Sequence, residues 1–158
     1  MWGKKADTDA INFEWPTQEI MDQWPEDVHL KSITFSTFGV SQTVVSSVQC
    51  TLSTDEKSPL FDTKGVDQHH SKTINFDAAR PVRSVQARDN SNSPYTHAVT
   101  FLDRDGSVID IYNPNNDARE GVVHAIAEDE ELIGVYGVRN KANSYFSNFG
   151  FIVKIKQV

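Results

Sequence analysis

The sequence predicts an all-β fold of three antiparallel sheets set around a pseudo-threefold axis. Two observations carry that prediction. The stretch 132–153 reads as a short apolar strand, a polar loop and a strand of alternating character, and the same pattern occurs three times along the chain. The alternation is plainest in the last strand, where Phe149, Phe151, Val153 and Ile155 face one way and Gly150, Ile152, Lys154 and Lys156 the other. A period of two marks a strand with one buried face, and a sheet with one wet face is usually antiparallel.

The repeat emerges by displacement. A shift of fifty residues sets Val85 on Val135, Tyr95 on Tyr145, Val99 on Phe149 and Phe101 on Phe151. A further shift of fifty-two, with one extra residue in the connecting loop, reaches Ile33 and Phe35, then Val48, Cys50 and Leu52. A period near fifty implies a symmetric array of sheets, and three copies suit a prism better than a propeller, which typically needs at least four blades.

The spacing, the closing run Phe149–Ile155 (FGFIVKI), Ile133–Gly137 (IGVYG), and Val48–Ser53 (VQCTLS) followed by Ser58–Phe61 (SPLF) resemble the jacalin-like lectin domain, in a divergent form, over residues 28–158. The resemblance implies a β-prism I of three four-stranded antiparallel sheets with pseudo-threefold symmetry. It also implies a non-catalytic domain that holds sugars in loops at one end of the prism.

Residues 1–27 show no strand alternation and carry all three tryptophans, so they read as an N-terminal extension. Within it, residues 16–24 suit a short helix, with Pro16 near its first position and Ile20, Met21 and Trp24 on one side. So short a helix is marginal alone and needs a surface to pack on. Trp2, Trp15, Ile20 and Trp24 are therefore candidates either for docking another protein or for covering the end of this prism.

Charge excludes some partners. Fifteen basic against 22 acidic residues give −7, with no basic stripe, so neither nucleic acid nor an anionic membrane is an expected partner. The start of the chain lacks the apolar core of a signal peptide, and the single Cys50 has no internal disulfide partner; both suggest an intracellular, cytoplasmic protein. Cys50 on a strand's alternating face reads as buried and inert.

The polar stretches read as loops and turns. Asp105-Gly106 between alternating segments is a hairpin signal, and the carboxylates Glu128 to Glu131 read as a solvated turn. Adjacent His69 and His70 would point to opposite faces of a strand, so no metal is expected, and no cofactor either. Neither a nucleophile elbow nor a phosphate-cradling glycine loop is present, which argues against an enzyme.

The resemblance also places a sugar site. In jacalin-like lectins a Gly-x-x-x-Asp motif precedes the closing strand, and counting back from Gly150 puts Ser147 at the Asp position and Asn143 at the Gly position. Ser147 lacks the carboxylate that accepts two sugar hydroxyls, and Asn143 restricts close backbone approach. Candidate contacts are Asn143, Ser144, Tyr145, Phe146 and Ser147, with the repeat-related Asn90, Asn92 and Tyr95. The altered motif and the tryptophans favour a recognition or scaffold module for protein partners, in a larger complex or an oligomer. The alternative is a working lectin that binds a glycan.

Overall fold

The computed structural model describes residues 10–25, 27–37, 45, 47–62, 69–90, 93–112, 123–140 and 146–156. In chain order the elements are β1 (Ala10–Trp15), α1 (Gln18–Met21), β2 (Leu30–Thr37), β3 (Ser47–Leu52), β4 (Phe61–Asp62) and β5 (His69–Asn75). There follow β6 (Ser84–Asn90), β7 (Ser93–Leu102), β8 (Val108–Tyr112), β9 (Val123–Ala125), β10 (Glu130–Asn140) and β11 (Phe146–Ile155). They make three antiparallel sheets, ordered β4-β3-β2-β5, β8-β7-β6-β9 and β1-β10-β11. The expected prism is therefore present, with four strands in two faces and three described strands in the third.

The repeat is visible in the register. Ile33 pairs with Cys50, Val85 with Phe101 and Val135 with Phe151, the same repeat position each time. The inward side chains meet on the axis: Ile33, Val135, Val48, Val99 and Phe149 are fully buried and Val85 nearly so. Phe35 is the hub, with its ring centroid 5.4 Å from Tyr112, 6.2 Å from Phe149 and 6.4 Å from Phe101. Aromatic rings at such separations and tilts add to the burial of their area.

The chain corrects three expectations. Residues 10–15 are not part of an extension: β1 pairs along β10, from Ala10↔Asn140 to Trp15↔Val135, and completes the third sheet. Asn12, Phe13, Glu14 and Trp15 alternate exposed and buried, a period of two hidden by the brevity of the strand. The helix expected over 16–24 is confined to Gln18–Met21, capped by the Thr17 hydroxyl, which accepts from the Ile20 N–H at 3.3 Å. The third correction concerns β11. Its inward face is buried only at its start, because Val153 and Ile155 run past the core and are 37% and 68% exposed.

Candidate functional site

Strand direction divides the prism into two unlike ends. The beginnings of β2, β6 and β10 converge, since His29, Leu30, Val82, Arg83 and Glu130–Leu132 line one small cavity of about 170 Å³. At this end the connection from β7 to β8 is tight and polar. Asp103 Oδ1 accepts from the Asp105 and Ser107 N–H groups at 3.0 and 2.9 Å, and Gly106 takes φ +78°, so Asp-Gly does form a hairpin turn. The Arg80 guanidinium closes on Asp103 at 2.9 Å, Arg104 on Glu128 at 2.9 Å, and Lys31 on Asp55 at 2.6 Å.

Hydrogen bonds and ion pairs set the electrostatics at this end. Burial raises the Asp103 carboxyl, but the Ser107 N–H, Arg80 and the Asp105 N–H outweigh it and hold its pKa below the usual value. Arg83 lies mostly covered, and its Nη1 donates to the Ala127 and Glu130 carbonyls at 3.0 and 3.2 Å. The sequence reading missed Arg83. The repeat offered a signal, because a shift of fifty-two places it on Lys31, another cation that ties down this end.

The opposite end is where the three hairpins turn. β2 ends at Thr37 and β3 starts at Ser47; β6 ends at Asn90 and β7 starts at Ser93; β10 ends at Asn140 and β11 starts at Phe146. The ends of β4 and β8 and the starts of β1, β5 and β9 lie toward the same end, as their registers require. The connections from β2 to β3, β4 to β5, β8 to β9 and β10 to β11 thus leave from it, whereas residues 16–29, between β1 and β2, lie at the other end. The Val45 side chain turns back from the first of these connections into the core and is fully buried.

The candidate sugar contacts divide accordingly. Asn90, Tyr95, Phe146 and Ser147 are placed as strand backbone at this end, Ser147 opposite Val138. Asn92, Asn143, Ser144 and Tyr145 lie outside the described residues, as does Trp2. Of the docking candidates, Trp15 is 5% exposed with its ring edge-on to Trp24 at 5.7 Å, and Ile20 and Trp24 pack on the core half-buried. Trp15 is therefore not available to a partner.

No family model matches the sequence, and no curated protein does. Solved structures do match, along the whole chain. A prostate-specific WGA16 glycoprotein lectin superposes with a TM-score of 0.65 at 12% identity, covering 99% of each chain. The mannose-binding lectin from Champedak gives 0.63 at 14% identity, covering 98% of this chain and 93% of that one. The lamprey immune protein gives 0.66 at 18% identity, and here the present chain spans 44% of its length. The fold is thus the β-prism of the jacalin-related lectins.

Proposed function

We propose that this chain is a carbohydrate-binding domain whose sugar site lies at the hairpin end of the prism, around the connection between β10 and β11. One observation carries the reading: the lectin prisms it resembles match it end to end, so no further domain is needed to account for their fold. Fold alone does not fix function, so the chemistry must be argued from the loop. Asn143, Ser144 and Ser147 supply amide and hydroxyl groups that both donate and accept, as sugar hydroxyls require, and Tyr145 offers a face for the ring. With no carboxylate in residues 141–149, the ligand would be held by neutral hydrogen bonds and stacking, and affinity per site would be low.

The scaffold reading rested on the tryptophan-bearing N-terminus and on the altered motif. Burial of Trp15 weakens the first support, and Trp24 packs half-buried on the core. The test is a glycan array probed with the purified chain and competed with free monosaccharides, methyl-α-mannoside first. Saturable binding reversed by one sugar is expected. A silent array from protein that melts cooperatively would overturn the reading.

A further inference from the structure

The end of the prism away from the hairpin loops carries a groove of its own. Residues 16–29 run from the end of β1 to the start of β2, and the stretch around α1 lies beside the last residues of β11. Between these two walls is an open groove of about 760 Å³, a size that suits a small ligand. It neighbours the 170 Å³ cavity at this end, because Glu131 and Lys156 line both.

One wall is aromatic and acidic. Trp24, half-buried, is held by its N–H, which donates to the Met21 carbonyl at 3.0 Å, and by the Trp15 ring, edge-on at 5.7 Å. Gln18 Nε2 donates to Asp22 Oδ1 at 2.8 Å. A carboxylate has about four acceptor positions, so this bond orients Asp22 without using it up. Asp27 belongs to the same wall. The other wall is apolar between charges: Val153 and Ile155 are 37% and 68% exposed, and Lys154 between them binds Glu131 at 3.2 Å.

The charges of the lining select among ligands. Three carboxylates, Asp22, Asp27 and Glu131, stand against two ammonium groups, Lys154 and Lys156, and Glu131 and Lys154 neutralise each other. So nearly balanced a groove has little pull on a free anion or cation. A wholly apolar ligand would strip water from the carboxylates and return no hydrogen bond. A neutral ring with one apolar face and several hydroxyls meets both walls. Its face covers the indole and the aliphatic side chains, while its hydroxyls donate to carboxylates and accept from Lys156. Those are the properties of a pyranose.

We infer that the groove between α1 and β11 is a second carbohydrate site, with Trp24 as the surface on which the sugar ring rests and Asp22 and Asp27 as its hydroxyl acceptors. None of these residues belongs to the hairpin-end site. The 11 residues of β10 separate the two sites by roughly 35 Å. A single chain then bridges two glycans without a second copy.

The test uses the full chain and reads the groove at Trp24. Its indole N–H resonance, assigned with Trp24→Phe, is followed by NMR during titration with the methyl glycosides of mannose, galactose and N-acetylglucosamine. A saturable shift with at least one of them is expected. Asp22→Ala, a change at an exposed position, should weaken that response roughly tenfold with an unaltered melting temperature. Glu19→Ala, exposed on α1 but outside the groove, should change neither. A Trp24 resonance indifferent to all three sugars, as when a protein surface fills the groove instead, would overturn the inference. So would a shift that survives Asp22→Ala and Asp27→Ala together. Failure of the hairpin-end site has a different signature: the Ser147 amide stays still while Trp24 responds, which supports the groove.

Discussion

Tyr136 lies across Gly150, its cross-strand partner between β10 and β11, so closely that a Cβ at position 150 would stand 2.6 Å from the ring's Cζ and Oη. The glycine leaves its strand without a side chain and the tyrosine covers the gap, a pairing that stabilises glycine in sheets. Burial of the phenol raises its pKa. Gly150→Ala must push the ring aside, and a destabilisation of about 1–3 kcal/mol is expected. In a Tyr136→Ala background the same substitution should cost far less. Chemical denaturation of the four proteins of this cycle measures the coupling.

Gly134 makes a different approach. A Cβ there would run into the Trp15 carbonyl and the Pro16 ring, where the end of β1 crosses β10. Backbone cannot swing away as a phenol can, so Gly134→Ala should destabilise more than Gly150→Ala. The substitution loosens β1 as a whole, and tryptophan fluorescence should report it through Trp15.

β1 is also the basis of a truncation prediction. Phe13 and Trp15 are 7% and 5% exposed, and each large aromatic removed from a core costs about 3–5 kcal/mol. Losing both approaches the whole stability of a typical domain, about 5–15 kcal/mol. A chain starting at residue 16 is expected to lose its near-ultraviolet circular dichroism and its cooperative melt. Retention of both would mean that β1 is an accessory strand.

Cys50 gives a prediction in pH. Burial pushes the thiol from its ordinary 9.0 up to about 12. The unfolded chain releases this proton near pH 9 while the native chain keeps it. The stabilisation is therefore fully present below pH 9 and is lost as pH rises toward 12. Urea midpoints should fall over that interval, and the slope should flatten in Cys50→Ala, whose absolute stability is lower because of the cavity. Native protein should resist thiol reagents at pH 8 and react once unfolded.

The fold was legible because each repeat writes its core twice, once in β2, β6 and β10 and again in β3, β7 and β11. Ile33, Val85 and Val135 align by displacement alone, and the structure buries all three. β1 was not legible. Six residues give only three inward positions, and the run from Pro16 to Trp24 carries a stronger helical signal than the strand before it. The polar cap was half legible: Asp105-Gly106 announces its turn, whereas Arg83 acts through carbonyls 44 and 47 residues away, a separation that no local pattern encodes. The proposed sugar site was read from motif position, because hydroxyls and amides in a loop have no period.

Ser147 offers the sharpest test of that site. It stands at the start of β11, opposite Val138, where the lectin motif has a carboxylate. A charged acceptor makes hydrogen bonds roughly twice as strong as a neutral one, so Ser147→Asp should tighten sugar binding by about 1–2 kcal/mol, or roughly five- to thirtyfold in Kd. The gain should disappear below about pH 4, where the new carboxylate protonates, while the weaker binding of the parent chain persists. Titration calorimetry with the sugar identified on the array measures both. An unchanged Kd at neutral pH would separate the ligand from the start of β11 and turn attention to the related loop around Asn90 and Tyr95.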